Sequence, residues 1–369
     1  MEPINIIHNK EQRDEYIDLL RGIAIIDMIL IHYSYLFPDI VKKIFNYHDI
    51  AMEGFLFLSG LTIGRYYFGK FKINKLNITN KLILRSLKII LIQYVMIITI
   101  SLPQYIILNR ITDINSYIRF LSKSFMFYNQ IGLMHILPTF IPLFLISPII
   151  LLGFYKGFDL IIIISSICLF FIGQAFPGIF DFGERTIFPV ILWQIYFVAG
   201  CYMGKFIYNH NNISINKKWF IIVTGILFII ALGFKHVSSL SIIIKYCMDS
   251  HGVYINRFPL NFYGLLYGSF LWSFIISFTY SFGSIIKKFT IIKMISLIGR
   301  HSLLSFVIHV YFAKTIEIIR DLHINTHPIL IYIIAILNIL ITINILMKYE
   351  VSEKELTKGK GRLIRWIFN

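Results

Sequence analysis

The feature that most constrains this sequence is a series of ten long apolar runs, which follow one another along nearly the whole chain. An α-helix needs about 20 apolar residues to cross the roughly 30 Å hydrocarbon core of a bilayer. The runs are continuous rather than alternating, and open sheets cannot span lipid, so the sequence favours helices over strands. We predict an all-α, polytopic membrane bundle with about ten transmembrane helices, at residues 17–37, 49–68, 86–108, 131–152, 158–176, 187–208, 219–235, 260–285, 295–315 and 328–347.

Composition supports the same class of protein. Only 15% of the residues are charged, and 57% belong to the set AVILMFWYC. Soluble domains average about 25% charged residues, so this chain could not cover a soluble surface and is not a disordered one either. Two of the three cysteines lie in apolar runs, which excludes a disulfide scaffold, and the charged start of the first run is not typical of a cleavable signal. We expect a single membrane-embedded domain over 1–369, with spans over about 17–347 and a basic cytoplasmic tail over 348–369.

The distribution of basic residues predicts the orientation. If the N-terminus is cytoplasmic, 23 of the 35 Lys and Arg residues fall in inner segments and 11 in outer connections. Cytoplasmic connections are enriched in basic residues, so both termini are expected on the cytoplasmic side. The segment 110–130 is a candidate for an amphipathic helix at the membrane interface.

Ionisable residues inside the first span are the first candidates for chemistry. Arg21 and His32 are 11 residues apart, which on a helix places them about 20° apart in direction and about 16 Å apart in height. They therefore share one face at two depths, with Arg21 near the cytoplasm and His32 in the outer half. Asp18 can pair with Arg21. Ionisable residues at such depths mark functional sites by default, although His32 could also be a structural histidine bonded to a neighbouring helix.

Glu53 opens the second span at about the depth of His32. A carboxylate beside an imidazole holds its tautomer and raises its basicity, so we predict His32 and Glu53 as an acid/base pair. Ser59, Gly60 and Gly64 on the same span allow close approach of another helix.

A basic stretch follows on the cytoplasmic side. Residues 65–88 contain seven basic residues and no acidic one. Such a cluster suits a phosphorylated ligand that approaches from the cytoplasm. Its loop lysines are explained equally by orientation in the membrane, whereas Arg65, Arg85 and Lys88 remain candidates for ligand binding.

Other polar residues are expected in the outer half of the bundle: His135, Trp193, Gln194 and His309. Each one alone is more typical of a hydrogen-bonded packing residue, but together they indicate a polar outer cavity, in which we expect them to bind the substrate. The sequence contains no HExxH and no CxxC, so no metal is expected. Nucleic acid is not an expected partner, because the basic residues follow the connections.

Several segments resemble one family of membrane enzymes. The pair Arg21 and His32 resembles the R-x10-H signature of the acyltransferase-3 superfamily, and EGFLFLSGLTIGR resembles its second-span motif. HILPTFIPLFLISPIIL, FPVILWQIYFVAG, RFPLNFYGLLY and IGRHSLLSFVIHVYF are similar to segments of the OpgC type, the osmoregulated periplasmic glucan succinyltransferases. The start, EYIDLLRGIAIIDMILIH, also resembles the heparan-α-glucosaminide N-acetyltransferase family.

The resemblance implies a bacterial inner-membrane or plasma-membrane enzyme. It would move an acetyl or succinyl group from cytoplasmic acyl-CoA to a hydroxyl of an extracytoplasmic glycan or glycolipid. It implies His32, Arg21 and Glu53 as catalytic residues and Arg65, Arg85 and Lys88, with Ser59, as donor-binding residues. His32 would act either as a general base or as an acylated nucleophile.

Two other classes of protein remain open on the sequence. A transporter or flippase for a polar lipid or glycan would use buried charges as a pathway, and a membrane scaffold would need no chemistry. An N-acetyltransferase acting on an amino sugar is the alternative enzyme. The sequence predicts neither the acyl group, nor the acceptor, nor the oligomeric state.

Overall fold

The structure, a computed structural model, describes residues 14–34, 51–108, 110–127, 136–176, 189–210, 217–236, 260–286, 288–321 and 328–356. Within these ranges the chain is almost entirely helical. The first half contains α1 Glu15–Ser34, α2 Ala51–Thr62, α3 Phe68–Ile73, α4 Lys75–Met96, α5 Leu102–Ile107, α6 Ile114–Phe125 and α7 Ile136–Tyr155. The second half contains α8 Asp159–Ala175, α9 Val190–Asn209, α10 Lys217–His236, α11 Phe262–Ile286, α12 Thr290–Arg300, α13 Ser302–Asp321 and α14 Pro328–Leu356.

The all-α prediction is confirmed for the described residues, and each of the ten predicted spans coincides with helix. Five helical segments are long and apolar enough to cross a membrane, and six if the bent pair α12–α13 counts as one span. The others are shorter or more charged: α8 has 17 residues, and α1 carries Asp18, Arg21 and Asp27. The structure thus supports a membrane protein with five to six such helices, and the count of ten stays a prediction.

Glycines bring α2 and α9 into very close contact. Gly60 and Gly64 face Gly200 and Gly204, and a Cβ atom at any of the four would lie under 3.0 Å from backbone of the opposite helix. Apolar side chains gain little from leaving lipid, so membrane helices associate through close backbone approach of this kind. The close approach expected at Gly60 and Gly64 is confirmed. It fixes the second span firmly against the helix that carries Trp193 and Gln194.

The second span is interrupted by a π-helical turn over Ile63–Tyr67, between α2 and α3. Such a turn widens the helix locally and is frequent at functional positions. It carries Arg65, the first residue of the predicted basic stretch.

The predicted ninth span is not one straight helix. α12 and α13 meet at an angle of 92° around His301. The Ser305 hydroxyl donates hydrogen bonds to the carbonyls of Ile298 and His301, both at 3.0 Å. Ser305 therefore pairs the Ile298 carbonyl, which a continuous helix would have paired internally. α12 lies against the first half of α1, where a Cβ atom at Gly299 would collide with the Asp18 carbonyl. The bend then directs α13 toward the last turn of α1, which carries His32.

The amphipathic segment predicted within 110–130 forms α6. Asp113 begins it with a capping box, in which Asp113 Oδ1 accepts from the Ser116 amide at 2.6 Å and Ser116 Oγ accepts from the Asp113 amide at 3.2 Å. These hydrogen bonds hold the pKa of the Asp113 carboxyl below its usual range. The position of α6 at a membrane interface stays a prediction.

Candidate active site

His32 and His309 form a hydrogen-bonded pair within the bundle. His32 Nδ1 lies 2.6 Å from His309 Nε2, and the two rings stack with 4.9 Å between their centres and 13° between their planes. His32 is on the last turn of α1, and His309 is on α13 two turns after the bend. Residues 277 positions apart in the chain are thus joined through the two ring nitrogens that face each other.

Asn338 on α14 continues this chain of contacts on the far side of His309. Its Nδ2 lies 3.1 Å from His309 Nδ1 and 2.9 Å from the Tyr33 hydroxyl. The hydroxyl of Thr342, one turn further along α14, donates to Asn338 Oδ1 at 3.3 Å. Three helices therefore meet in one polar group within an apolar bundle, and each hydrogen bond there is strengthened by the low local dielectric.

The residues of this polar group differ in how far they are exposed. Asn338, Thr342 and His309 are each 0% exposed, whereas His32 is half-buried. His309 thus lies behind His32, and His32 is the more exposed member of the pair. A half-buried imidazole supported from behind by a second ring is suited to proton transfer.

Glu53 is fully buried near the start of α2, where it packs against α9 and α11. A Cβ atom at Gly268 of α11 would lie 2.9 Å from Glu53 Oε1 and 2.7 Å from the Tyr196 hydroxyl, which itself donates to the Leu265 carbonyl at 3.0 Å. His309 occupies the position at His32 Nδ1 that the sequence assigns to Glu53. The catalytic role of Glu53 stays a prediction.

Arg21 links α1 to the second span at the inner level. Its Nη2 donates to Thr62 Oγ1 at 2.6 Å, and that hydroxyl donates to the Leu58 carbonyl at 2.7 Å. Arg21 and His32 lie on one continuous helix, as predicted. Asp18, expected beside Arg21, faces Arg300 with 3.7 Å between Oδ2 and Nε.

Arg300 belongs to an inner cluster at the bend. Its Nη1 donates to Glu350 Oε1 at 2.8 Å, and His301 Nε2 lies 3.2 Å from the same oxygen. This cluster joins α1, α12 and α14 below the histidine pair.

The candidate donor-binding residues contact different neighbours. Arg65 forms an ion pair with Asp14, just before α1, and its guanidinium lies 5.5 Å from the centre of the Tyr66 ring. Arg85 stacks over the Phe144 ring of α7 at 4.8 Å. Lys88, one turn further along α4, and Ser59, on α2, are each half-buried. Arg65 and Arg85 keep partly exposed guanidinium groups for an anion, and ligand binding by all four residues stays a prediction.

Gln194 and Trp193 lie inside the bundle on α9. Gln194 accepts from the Ser166 hydroxyl and donates to the Ser166 carbonyl, both at 2.7 Å, and so joins α9 to α8. Trp193 is fully buried, with its ring 6.0 Å from that of Tyr196. Contact of either residue with a substrate stays a prediction. His135 lies outside the described residues.

The sequence reasoning missed Asn338, Tyr33 and the Arg300–Glu350 cluster. The signal for Asn338 was present, because it is one of only two amide side chains, with Asn344, in the apolar run ILNILITINIL. Tyr33 directly follows His32 and gives no signal of its own. Within the described ranges no three His, Cys, Asp or Glu side chains converge to hold a metal ion. The geometry offers proton transfer by a histidine pair, with the cationic groups of Arg65 and Arg300 near the start of α1.

Comparison with known proteins agrees with this arrangement. The family model described as OpgC protein matches residues 13–352, nearly the whole chain. No curated protein and no solved structure matches the chain. The matched region contains both members of the histidine pair, Asn338 and the inner cluster. The chain therefore belongs to the OpgC family, which indicates an acyl or succinyl transferase acting on glucans.

Proposed function

We propose that this protein transfers an acetyl or succinyl group from cytoplasmic acyl-CoA to a sugar hydroxyl of an extracytoplasmic glucan. The observation that carries the proposal is the contact of 2.6 Å between His32 and the buried His309. Family membership supports acyl transfer to a glucan, and the helical bundle supports a membrane site. The proposal includes a ten-span topology with both termini in the cytoplasm of a bacterial inner or plasma membrane.

His32 acts as the general base. Its Nδ1–H donates to His309 Nε2, and its Nε2 accepts the proton of the sugar hydroxyl. The hydroxyl oxygen then attacks the thioester carbonyl, and a new C–O bond forms. When the tetrahedral intermediate collapses, the C–S bond breaks and His32 returns the proton from Nε2 to the leaving CoA sulfur. The imidazolium formed in between keeps its Nδ1–H bonded to His309, which stabilises the charge.

A second form of the mechanism uses the same atoms. His32 Nε2 attacks the thioester carbonyl, a C–N bond forms, and the C–S bond breaks so that CoA leaves as the thiolate. The sugar hydroxyl oxygen then attacks the acyl carbon, the C–N bond breaks, and the hydroxyl proton passes to the CoA thiolate or to solvent. Both forms need His32 at the end of the donor path and His309 behind it. They differ in one observable, a covalent acyl-histidine that forms before the acceptor is added.

Cationic groups on the inner side receive the CoA phosphates. Arg65 and Arg85 present guanidinium groups, which bind phosphate oxygens in pairs, and Lys88 adds a point charge. Arg65 releases Asp14 when phosphate binds, since both compete for the same guanidinium. Arg21 lies about 16 Å below His32 on the same face of α1, along the path that the pantetheine arm would take.

The test uses purified protein in lipid nanodiscs with labelled succinyl-CoA or acetyl-CoA and a linear glucan. Wild-type protein should release CoA and label the glucan, whereas His32→Ala should lose at least about 100-fold in rate, the lower range for general acid–base catalysis. Thr224→Val is the matched control, because it removes a buried contact of 2.6 Å between Thr224 and Ser277, on α10 and α11, away from the histidines.

Three outcomes would contradict the proposal. Full activity of folded His32→Ala would exclude the mechanism. Label that appears only on an amino sugar would establish an N-acetyltransferase instead. Movement of glycan across the membrane without any label transfer would establish a transporter.

A further inference from the structure

The helix that carries His309 extends well past the histidine pair. α1 contacts the bend through the ion pair of Asp18 with Arg300 and contacts α13 at the histidine pair, so α1 and α13 run in the same direction. α1 ends at Ser34, whereas α13 continues for about three turns and about 18 Å after His309. These last turns of α13 therefore lie beyond His32, on the side away from the bend.

Lys314 and Glu317 form an ion pair on this part of α13. Lys314 Nζ lies 2.5 Å from Glu317 Oε2, and the two residues are about one turn apart. The side chain of Lys314 is 3% exposed, whereas that of Glu317 is 30% exposed. Lys314 thus lies behind Glu317 and orients its carboxylate. In the part of the chain that the structure describes, no donor contacts Glu317 Oε1, so this oxygen can accept from a ligand.

The burial of Lys314 is not explained by stability. A lysine near the end of a helix usually extends its ammonium group to water, and a buried ion pair is often no more stable than apolar side chains of similar volume. Lys314 carries three N–H donors, and among the described residues Glu317 is its one acceptor. An ion pair within a single helix also contributes little to folding. Ionisable residues at such positions in apolar helices are functional by default.

A second buried pair shows how a lysine with a structural role is held. Lys205 Nζ lies 2.5 Å from Asp159 Oδ1, and Asp159 is 30% exposed, as Glu317 is. Lys205 also donates to the Phe154 carbonyl at 3.0 Å and lies 5.2 Å from the centre of the Phe154 ring. This pair joins α9 to α7 and α8. The partner of Lys314, in contrast, lies on the same helix, so the pair on α13 joins no two elements.

We infer that Glu317 binds a hydroxyl group of the glucan acceptor and that Lys314 is the positioning residue behind it. The inference rests on the proposed function, because it names an acceptor-binding residue of the same site. A carboxylate oxygen accepts the hydrogen bond that a sugar hydroxyl donates, and bonds to charged groups are the stronger ones. Glu317 lies about 12 Å past His309 along α13, a distance that a short run of sugar units spans.

The charge of the pair favours a neutral ligand. Lys314 and Glu317 together carry no net charge, so a sugar hydroxyl adds none to the apolar surroundings. An anion, such as a succinyl carboxylate or a phosphate, would compete with Glu317 for the ammonium group of Lys314. A glucan bound at Glu317 would place a hydroxyl of a neighbouring sugar unit at His32.

The first test measures glucan affinity without any acyl donor. Protein in lipid nanodiscs is titrated with a linear gluco-oligosaccharide by calorimetry. Glu317→Gln should weaken binding at least about tenfold, the effect of one hydrogen bond to a charged group. The double variant Lys314→Met/Glu317→Gln should show the same loss, and it leaves no unpaired ammonium group buried. Asp159→Asn is the matched control, because it neutralises the equally exposed carboxylate of the other pair and should bind as wild type does.

Transfer kinetics separate acceptor binding from a merely structural role. In Glu317→Gln and in Lys314→Met the KM for glucan should rise, by at least about tenfold in Glu317→Gln, while kcat and the KM for acyl-CoA change little. Thermal unfolding verifies that each variant is folded. Wild-type glucan affinity in folded Glu317→Gln or in the double variant would overturn the inference. A rise in KM for succinyl-CoA that is absent with acetyl-CoA would also overturn it and would place the acyl carboxylate at Lys314.

The two tests distinguish this inference from the proposed function. If wild-type protein transfers label and the variants bind glucan as wild type does, the inference alone fails. If wild-type protein transfers no acyl group, the proposed function fails, but the titration still decides whether Glu317 binds glucan. Wild-type protein that binds no glucan would overturn the inference as well.

Discussion

Replacement of His309 by leucine tests whether the second histidine, rather than Glu53, supports His32. Leucine fills much of the volume of the imidazole without any polar atom, so the change removes contacts and leaves little cavity. It would separate the hydrogen-bonding function of His309 from its packing.

The expected magnitudes follow from the contacts of His309. His309 Nε2 serves His32 Nδ1 at 2.6 Å, and His309 Nδ1 serves the Asn338 amide at 3.1 Å. Each partner left buried without a hydrogen bond costs about 1–3 kcal/mol, so His309→Leu should lower the free energy of unfolding by roughly 2–6 kcal/mol. Since His32 also loses its orienting partner, the transfer rate should fall by about 10²–10⁴-fold.

The assay combines two measurements on protein in the same nanodiscs. Thermal unfolding reports stability, and release of CoA from labelled acyl-CoA in the presence of glucan reports transfer. Thr224→Val, with its contact far from the histidines, should lose stability alone. The reasoning is refuted if folded His309→Leu keeps at least a tenth of wild-type activity while Glu53→Gln abolishes transfer, because Glu53 would then be the supporting group.

Three further predictions follow from other parts of the structure. Overpacking typically costs about 1–3 kcal/mol, and Gly60→Leu should cost more, because even a Cβ atom there would lie under 3.0 Å from the backbone of α9. Gly233→Leu is the control, because nothing lies within 4 Å of a Cβ atom at Gly233. Equal unfolding temperatures for the two variants would contradict the close crossing. Asp14→Asn should lower the KM for acyl-CoA several-fold, because it removes the carboxylate that competes for Arg65, and Arg65→Ala should raise this KM. If titrations with acyl-CoA show that Asp14→Asn raises the KM and Arg65→Ala lowers it, Arg65 is excluded from the donor site. The Ser116 amide at the start of α6 should lose protection from hydrogen exchange as pH falls through the lowered pKa of Asp113, because the Asp113 carboxylate caps the helix only when ionised. Protection that does not change with pH would contradict the cap.

The sequence predicted the helices well, because each depends on a local property. Continuous apolar runs are read directly, and a small-residue pattern such as Gly60 and Gly64 indicates a close crossing without naming the partner helix. The bend at His301 was not predicted, because the run 295–315 is apolar on both sides of it. Only the hydrogen bonds of Ser305 in the folded chain show how the break is stabilised.

The sequence predicted which residues belong to the candidate site better than it predicted their contacts. His32 and His309 stand out as ionisable residues within apolar runs, but no spacing within one helix relates positions on different helices. Glu53 at the depth of His32 was a reasonable partner by height alone. Height does not define direction around the bundle axis, and the packing of α13 places His309 at His32 Nδ1 instead.

The inner cluster and the histidine pair are two levels of one three-helix arrangement. α1 contributes Asp18 below and His32 above, and α14 contributes Glu350 below and Asn338 above. The middle partner is the bent pair, with Arg300 on α12 and His309 on α13. Because α1 and α14 contribute to both levels, a vertical shift of α14 against α1 would break contacts at two depths at once. The register of Asn338 behind His309 is therefore fixed by ion pairs on the inner side as well as by its own hydrogen bonds. Weakening of the inner cluster, as in Glu350→Gln, should for this reason lower kcat without any change at the histidines themselves.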